Sequence, residues 1–290
     1  VHALQKMSLL MEKQHNRGQD GAGLACVKLD MPPGKPYINR IRNNSSTPII
    51  DTFNQAFAPL HELKNAQSPR YLDIDYLKEN VEFTGEVFLG HLRYGTFGKN
   101  NIKYVHPFIR PNNWKTRNLI LAGNFNMTNA DELFQKLIHM GQHPVETADT
   151  VTIMEQIGYY LDEENDLLYQ RYKAEGLSRI DISHHIAKEL NIASILRKSC
   201  KLWDGGYVLS GMIGNGDSFV MRDPSGIRPA FYYADDEIVV ATSERPVIQT
   251  SFNIHYENVK ELLPGQALIV RSDGSYSVEQ IIEPKEEKYC

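Results

Sequence analysis

Asn118-Leu119-Ile120-Leu121-Ala122-Gly123-Asn124-Phe125-Asn126-Met127-Thr128-Asn129-Ala130 is the stretch on which the reading of the fold turns. The apolar run Leu119 to Ala122 has strand length and no alternation, which suggests a strand buried on both faces. The spacing ends that strand at Asn124 in a tight turn, just before a helix. Thr128-Asn129-Ala130-Asp131 gives the helix a capping-type start, Leu133, Phe134, Leu137 and Ile138 give it an apolar face, and Gly141 stops it.

Upstream, Ala3, Leu4, Met7, Leu10 and Met11 recur at helical spacing, and a polar turn over 14–21 leads into a strand-like stretch, 22–29. Residues 37–80 are weakly patterned and read as an irregular insertion with one or two short helices. Val87 to Leu92 is a second buried-strand run. Downstream, Val151, Met154, Ile157 and Leu161 mark an amphipathic helix, and Ile182, Ile186 and Leu190 begin another. After Trp203 the pattern reads as strand and turn throughout, with strands at 207–213, 218–222, 230–233, 237–242, 267–270 and 276–282. Strands, then helices, then many antiparallel strands argue for an α+β fold, two sheets with helices segregated on the outside.

The chain has 290 residues with 31 basic and 36 acidic side chains, a formal charge of −5. That balance gives no electrostatic footprint for nucleic acid or an anionic membrane, so small molecules and proteins are the expected partners. No apolar run reaches the roughly 18 residues of a membrane helix, and no signal-peptide core opens the chain. Cys26, Cys200 and Cys290 are too few and scattered for a disulfide framework or clustered metal site, so a reducing cytosol is the expected setting.

There is no G-x-x-x-x-G-K-[ST] phosphate loop, and Gly214-x-Gly216 lacks a third glycine and a following helix. His184-His185 reads as a solvated helix face and Cys26 as a core residue. In Gly90-His91-Leu92-Arg93-Tyr94-Gly95-Thr96 a buried strand delivers Arg93 into a glycine-containing loop. A guanidinium there can grip a carboxylate in bidentate fashion, or bond strand-end carbonyls. A turn at Asn124 and Phe125 would offer backbone N–H groups beside an Asn amide, the donor set of an oxyanion hole, although a plain turn with an N-cap uses the same residue types. Asp149 sits at the start of the helix containing Val151, where it can cap the helix or bind an ammonium group. Arg222-Asp223-Pro224-Ser225-Gly226-Ile227-Arg228-Pro229 reads as a structural hairpin turn.

Taken in order, these segments resemble the N-terminal glutaminase domain of the glutamine phosphoribosylpyrophosphate amidotransferase family. Gln14-His15-Asn16-Arg17-Gly18-Gln19-Asp20-Gly21-Ala22-Gly23 resembles its Q-H-R-G-Q-D-x-A-G, and Gly90 to Thr96 its G-H-x-R-Y-x-T. Asn124 to Ala130 resembles its N-G-N-L-T-N-A, Ala148-Asp149-Thr150 its S-D-T, and Arg222 to Pro229 its R-D-P-x-G-I-R-P; residues 31–80 match loosely. The resemblance implies a four-layer αββα sandwich of the N-terminal-nucleophile hydrolase type over residues 1–282, and a linker, 283–290, toward a phosphoribosyltransferase domain. It implies that an N-terminal Cys attacks the glutamine amide and frees ammonia through a thioester. By matching motif, Arg93 would hold the glutamine α-carboxylate, Asp149 its α-ammonium, and Thr96 would line the site. Asn124 and the Phe125 N–H would form the oxyanion hole, and Arg17-Gly18 would support the nucleophile.

The sequence departs from the family pattern at three places. The nucleophile should precede the first helix, so it is expected upstream of Val1; Phe125 replaces the usual Gly; and Asn16 splits the Q-H-R-G string. The resemblance implies no cofactor for this domain, Mg2+ for the phosphoribosyltransferase half, and in some members a 4Fe–4S cluster whose first ligand falls near Cys290. It also implies a cytoplasmic homo-oligomer that takes L-glutamine and passes ammonia to phosphoribosylpyrophosphate. Two other readings stay open: a glutaminase serving another acceptor, as in asparagine synthetase, and a non-catalytic glutamine-sensing homologue.

Overall fold

The computed structural model describes residues 1–95, 101–146 and 148–285. The chain divides into two compact units: Val1–Pro107 with Glu244–Val259, and Phe108–Ser243 with Lys260–Cys290.

In the first unit, helix α1 (His2–Lys13) follows the apolar spacing at its start, and a 3₁₀ turn, His15–Arg17, absorbs the additional Asn16. Strand β1 (Gly21–Val27), strand β2 (Ile38–Asn43), helices α2 (Pro48–Asn65) and α3 (Ile74–Asn80), and strand β3 (Val87–Arg93) follow. The strands form an antiparallel sheet of order β2-β1-β3, with Gly21 opposite Arg93 and Val27 opposite Val87. Ala22, Leu24 and Cys26 on one face of β1 join Leu4 and Met11 of α1 and Phe53, Ala56 and Leu60 of α2 in one buried cluster. Residues 37–80 are thus more regular than expected. Pro48 opens α2 at its first turn, the hydroxyls of Ser45 and Thr47 bond Asp51, and Pro59 is carried inside the helix. The unit also includes the helix Arg245–Phe252, in a region expected to be all strand and turn. Pro246 occupies the first turn, where its missing N–H costs nothing.

The other face of β1 is kept low by glycine. Val105 packs on Gly21, the Val105 carbonyl accepts from Arg42 Nη1 at 3.1 Å, and a Cβ at Gly23 would overlap the His106 carbonyl oxygen. The His106 ring lies 4.3 Å from that of His91 on β3, centroid to centroid. Residues 104–107 thus form a strap across this face.

The second unit comprises β4 (Phe108–Arg110), β5 (Leu119–Met127), α4 (Ala130–His139), α5 (Asp149–Ala174), α6 (Arg179–Glu189), α7 (Ile192–Ser199), β6 (Gly205–Ile213) and β7 (Ser218–Arg222). Then come β8 (Phe231–Ala234), β9 (Val239–Thr242), β10 (Lys260–Glu261), β11 (Gln266–Val270) and β12 (Tyr276–Gln280). Six strands form an antiparallel sheet of order β12-β11-β7-β6-β5-β4, and β10-β8-β9 form a small one. Leu119 and Leu121 of β5 join Leu133 of α4, Ile153, Ile157 and Leu161 of α5 and Leu196 of α7 in the main core.

Two expectations are corrected. β5 does not turn at Asn124 but stays paired with β6 to the Met127–Gly205 pair. Phe125 and Met127 pack against the core while Asn124 and Asn126 are exposed, so Asn-Phe-Asn-Met is a half-buried strand with period two. The Arg222–Pro229 segment is a structural turn but not the hairpin expected, since β7 and β8 on either side of it belong to different sheets. The fully buried Asp223 carboxylate accepts from the N–H groups of Ser225 at 2.9 Å, Ile227 at 3.1 Å and Arg228 at 3.1 Å. Arg222 donates to Gly226 O at 2.8 Å and Leu262 O at 2.7 Å.

The strap gives a direct test. Gly23→Ala places a methyl group against a backbone carbonyl that has nowhere to move, so it should destabilise the protein by about 2 kcal/mol or more. A urea unfolding midpoint equal to wild type would show that the strap does not rest on β1.

Candidate active-site residues

Arg93 ends β3 and is 7% exposed. Strand alternation puts it, with Leu89 and His91, on the face opposite Phe88 and Leu92, which pack against the helices. Its guanidinium carbon lies 5.7 Å from the Tyr104 ring centroid, so the strap covers one side of it. The backbone around Arg93 is held by the turn that precedes β1. The Asp20 N–H donates to Arg93 O at 3.0 Å, and the Gly95 N–H donates to Asp20 Oδ2 at 2.7 Å. Gly18 is pressed against the same peptide: a Cβ there would lie 2.6 Å from both Arg93 C and Arg93 O. Arg17 pairs through Nε with the Glu244 carboxylate, tying the turn to the start of helix 245–252. The structure therefore brings Gly18 to the Arg93 backbone, a relation the motif spacing did not reveal, while Arg17 turns to Glu244. Thr96 lies outside the described residues.

In the second unit, the pairing pattern decides what Asn124 and Phe125 can do. Tyr207, opposite Phe125, directs both its N–H and its C=O toward β7: its N–H donates to Asp223 Oδ2 at 3.3 Å and its carbonyl accepts from Asp223 N at 2.9 Å. Phe125–Tyr207 is therefore the non-hydrogen-bonded kind of antiparallel pair, and the Phe125 N–H points out of β5 away from β6. On that side β4 reaches no further than Leu121. The Phe125 N–H is thus directed to the side of β5 away from β6, without any turn at Asn124. Its ring lies against Gly123, where a Cβ would come within 2.7 Å of the ring. The Asn124 side chain projects from the opposite, exposed face.

Met127 has the same backbone direction as Phe125, and its N–H is accepted by the Asp149 carboxylate. Asp149, the first residue of α5, also accepts from its own N–H. Burial pushes its carboxyl above the ordinary value of 3.8, opposed by those two hydrogen bonds, and the neighbouring Asp131 charge pushes in the same direction. The structure thus joins Asn124, Phe125 and Asp149 at one end of β5.

Burial pushes the Cys26 thiol up to about 12 and the Cys200 thiol up to about 11, so neither offers a thiolate to a cluster or an electrophile. Cys290, the residue considered for a cluster, lies outside the described residues. Among the described residues no group of three or more His, Cys, Asp and Glu is arranged to hold a metal ion, and no helix is long and apolar enough to cross a membrane.

No protein-family model matches the chain. It is 27% identical over 197 residues to the amidophosphoribosyltransferase of Methanothermobacter thermautotrophicus, covering 68% of this chain and 35% of the relative. Against the Pasteurella multocida enzyme of that name the identity is 24% over 272 residues, 92% of this chain and 43% of the relative. This chain is related to the amidophosphoribosyltransferases. It spans less than half the length of these curated relatives. Among solved structures it is similar to glutamine phosphoribosylpyrophosphate amidotransferase from B. subtilis complexed with ADP and GMP, with a TM-score of 0.61 and 21% identity over 97% of this chain and 47% of that one. A structure described as the allosteric regulatory enzyme of purine biosynthesis gives a TM-score of 0.62 and 21% identity over 96% of this chain and 46% of that one. The likeness shows a shared fold, an α+β architecture built on mainly antiparallel sheets, in accord with the class expected from the sequence.

Asp20 is the site residue that the sequence reading passed over; its signal was its place between a buried glycine and β1 in the matched Q-D string. The Asp149 anchor is testable by stability. Asp149→Ala removes the acceptor for Met127 N–H and should cost about 1–2 kcal/mol, whereas Asp149→Asn keeps an acceptor and should cost less than half as much. Equal losses in thermal unfolding would show that the carboxylate does not hold the strand end.

Proposed function

We propose that this chain is the glutaminase half of an amidophosphoribosyltransferase. The observation that carries the reading is that relatives of that name match most of the chain, with Asn124, Phe125 and Asp149 of the matching motifs lying at the end of β5 and the start of α5. The reading treats residues 1–282 as one glutaminase domain and 283–290 as a linker to a phosphoribosyltransferase domain.

In this mechanism a Cys upstream of Val1 adds its sulfur to the side-chain carbonyl carbon of glutamine. The oxyanion that forms is stabilised by the Phe125 N–H and the Asn124 amide. Collapse of the adduct expels ammonia and leaves a thioester, and water then cleaves the thioester to glutamate and the free thiol. Arg93 binds the α-carboxylate, whose planar oxygens suit a guanidinium backed by an aromatic ring. Asp149 binds the α-ammonium through the carboxylate capacity left beside its two backbone bonds, Thr96 lines the pocket, and Arg17-Gly18 seat the nucleophile's surroundings. Ammonia passes to phosphoribosylpyrophosphate in a half that uses Mg2+, and the enzyme works as a cytoplasmic homo-oligomer. The names of the relatives favour phosphoribosylpyrophosphate over the acceptor of an asparagine synthetase.

The test is glutamate release and phosphoribosylamine formation by the full chain with its native N-terminus. Arg93→Ala should raise the KM for glutamine about tenfold or more, with a smaller effect on kcat. Glutamine binding without turnover would favour a sensor, and turnover without transfer to phosphoribosylpyrophosphate would favour another acceptor.

The pH dependence follows from Asp149. Because its carboxyl titrates above 3.8, the form that attracts an ammonium is lost, as pH falls, earlier than for an ordinary Asp. Calorimetry should show glutamine affinity falling with acidification above pH 3.8, and Asp149→Asn should flatten that limb. A limb unchanged in Asp149→Asn would remove Asp149 from ammonium binding.

A further inference from the structure

We infer that Asp20 is the positioning residue for Arg93, setting the glutamine affinity of the site without touching the substrate. This rests on the glutaminase reading above.

The argument is one of backbone geometry. Arg93 is the last residue of β3, and strand pairing to β1 ends at the Gly21–Arg93 pair. Beyond that pair the ladder no longer fixes the chain, yet a side chain that must meet a carboxylate in bidentate fashion tolerates little angular error. Asp20 supplies the missing constraint from both directions. Its N–H bonds Arg93 O at 3.0 Å, and its carboxylate takes the Gly95 N–H at 2.7 Å, so one residue brackets the Arg93–Tyr94–Gly95 segment. Gly95 packs directly on that carboxylate: a Cβ there would lie 3.2 Å from Oδ2. Gly18 closes the bracket from below, with its Cα against the Arg93 peptide. Tyr94, between the two anchors, is 69% exposed, so nothing in its own packing would hold the segment. Asp20 is itself exposed, so its truncation opens no cavity and leaves the fold intact.

The test is a double-mutant cycle in the full chain, read as KM and kcat for glutamine hydrolysis together with thermal unfolding. Asp20→Ala should raise the KM for glutamine about tenfold while kcat changes less than about twofold. Asp20→Asn, which retains an acceptor for Gly95 N–H, should stay within about twofold of wild type. In an Arg93→Ala background, Asp20→Ala should add less than about twofold, because a residue acting through Arg93 has nothing left to act on. The inference is overturned if Arg93→Ala raises KM and Asp20→Ala does not, or if the two effects multiply in full. It is overturned along with the glutaminase reading if Arg93→Ala itself leaves KM unchanged.

Discussion

Among the described residues strand β5 is paired with β4 on one edge as far as Leu121 and with β6 on the other as far as Met127, and the direction of its amides follows from that pairing. A β-residue points its N–H and C=O to the same side, and successive residues alternate. Once Tyr207 is committed to Asp223, the direction of every amide between Leu121 and Met127 is fixed. Gly123, Phe125 and Met127 face away from β6; Asn124 and Asn126 face it. Asp149, at the start of α5, lies by the last of these amides, and the Met127 N–H opposes the upward push that burial gives its carboxyl. Capping-type chemistry and a substrate-binding role are therefore compatible in one carboxylate, since two backbone N–H groups do not exhaust its acceptor capacity.

The first unit meets a different constraint, close approach. Its sheet must carry a strap on the face that bears Arg93, and the glycines of β1 are where the strap comes down. Val105 rests at Gly21 and the His106 carbonyl at Gly23, which leaves Tyr104 over the guanidinium and the His106 ring over His91. The opposite face of the same strand uses Ala22, Leu24 and Cys26 to hold two helices. The alternation of very small with larger residues in Gly-Ala-Gly-Leu-Ala-Cys is thus a record of two unequal spacings across one strand.

Much of this was legible in the sequence, and the failures have identifiable causes. β7 falls on 218–222 as expected, because turn residues bracket an apolar run of strand length. β5 was cut short because Asn is a turn former; the overlooked signal was the period-two alternation with Phe125 and Met127. The helix Arg245–Phe252 lies where strand and turn are expected; it is only eight residues long and opens with Pro246 in its first turn. Arg93, Asn124 and Asp149 stand out because they lie in motifs that match the resembling family in order; the residue types alone leave a structural reading open for each. Asp20 carried a weaker signal, its place between Gly18 and β1, because its partners are a carbonyl and an amide, neither of which has a sequence signature of its own.

The same backbone logic explains how Phe125 can stand where the resembling family has glycine. If the donor at this position were a side chain, or an N–H freed by a strained turn, a bulky residue would alter it. Here the N–H direction is dictated by the ladder to β6, which a side chain pointing along the sheet normal does not disturb. What the ring does need is room on its own face, and the residue two positions back provides it: a Cβ at Gly123 would press on the Phe125 ring at 2.7 Å. The two positions are therefore coupled, the glycine at 123 being a condition for the aromatic at 125. The ring then packs against the main core, so that burial of a large apolar side chain anchors the strand end from which the N–H projects.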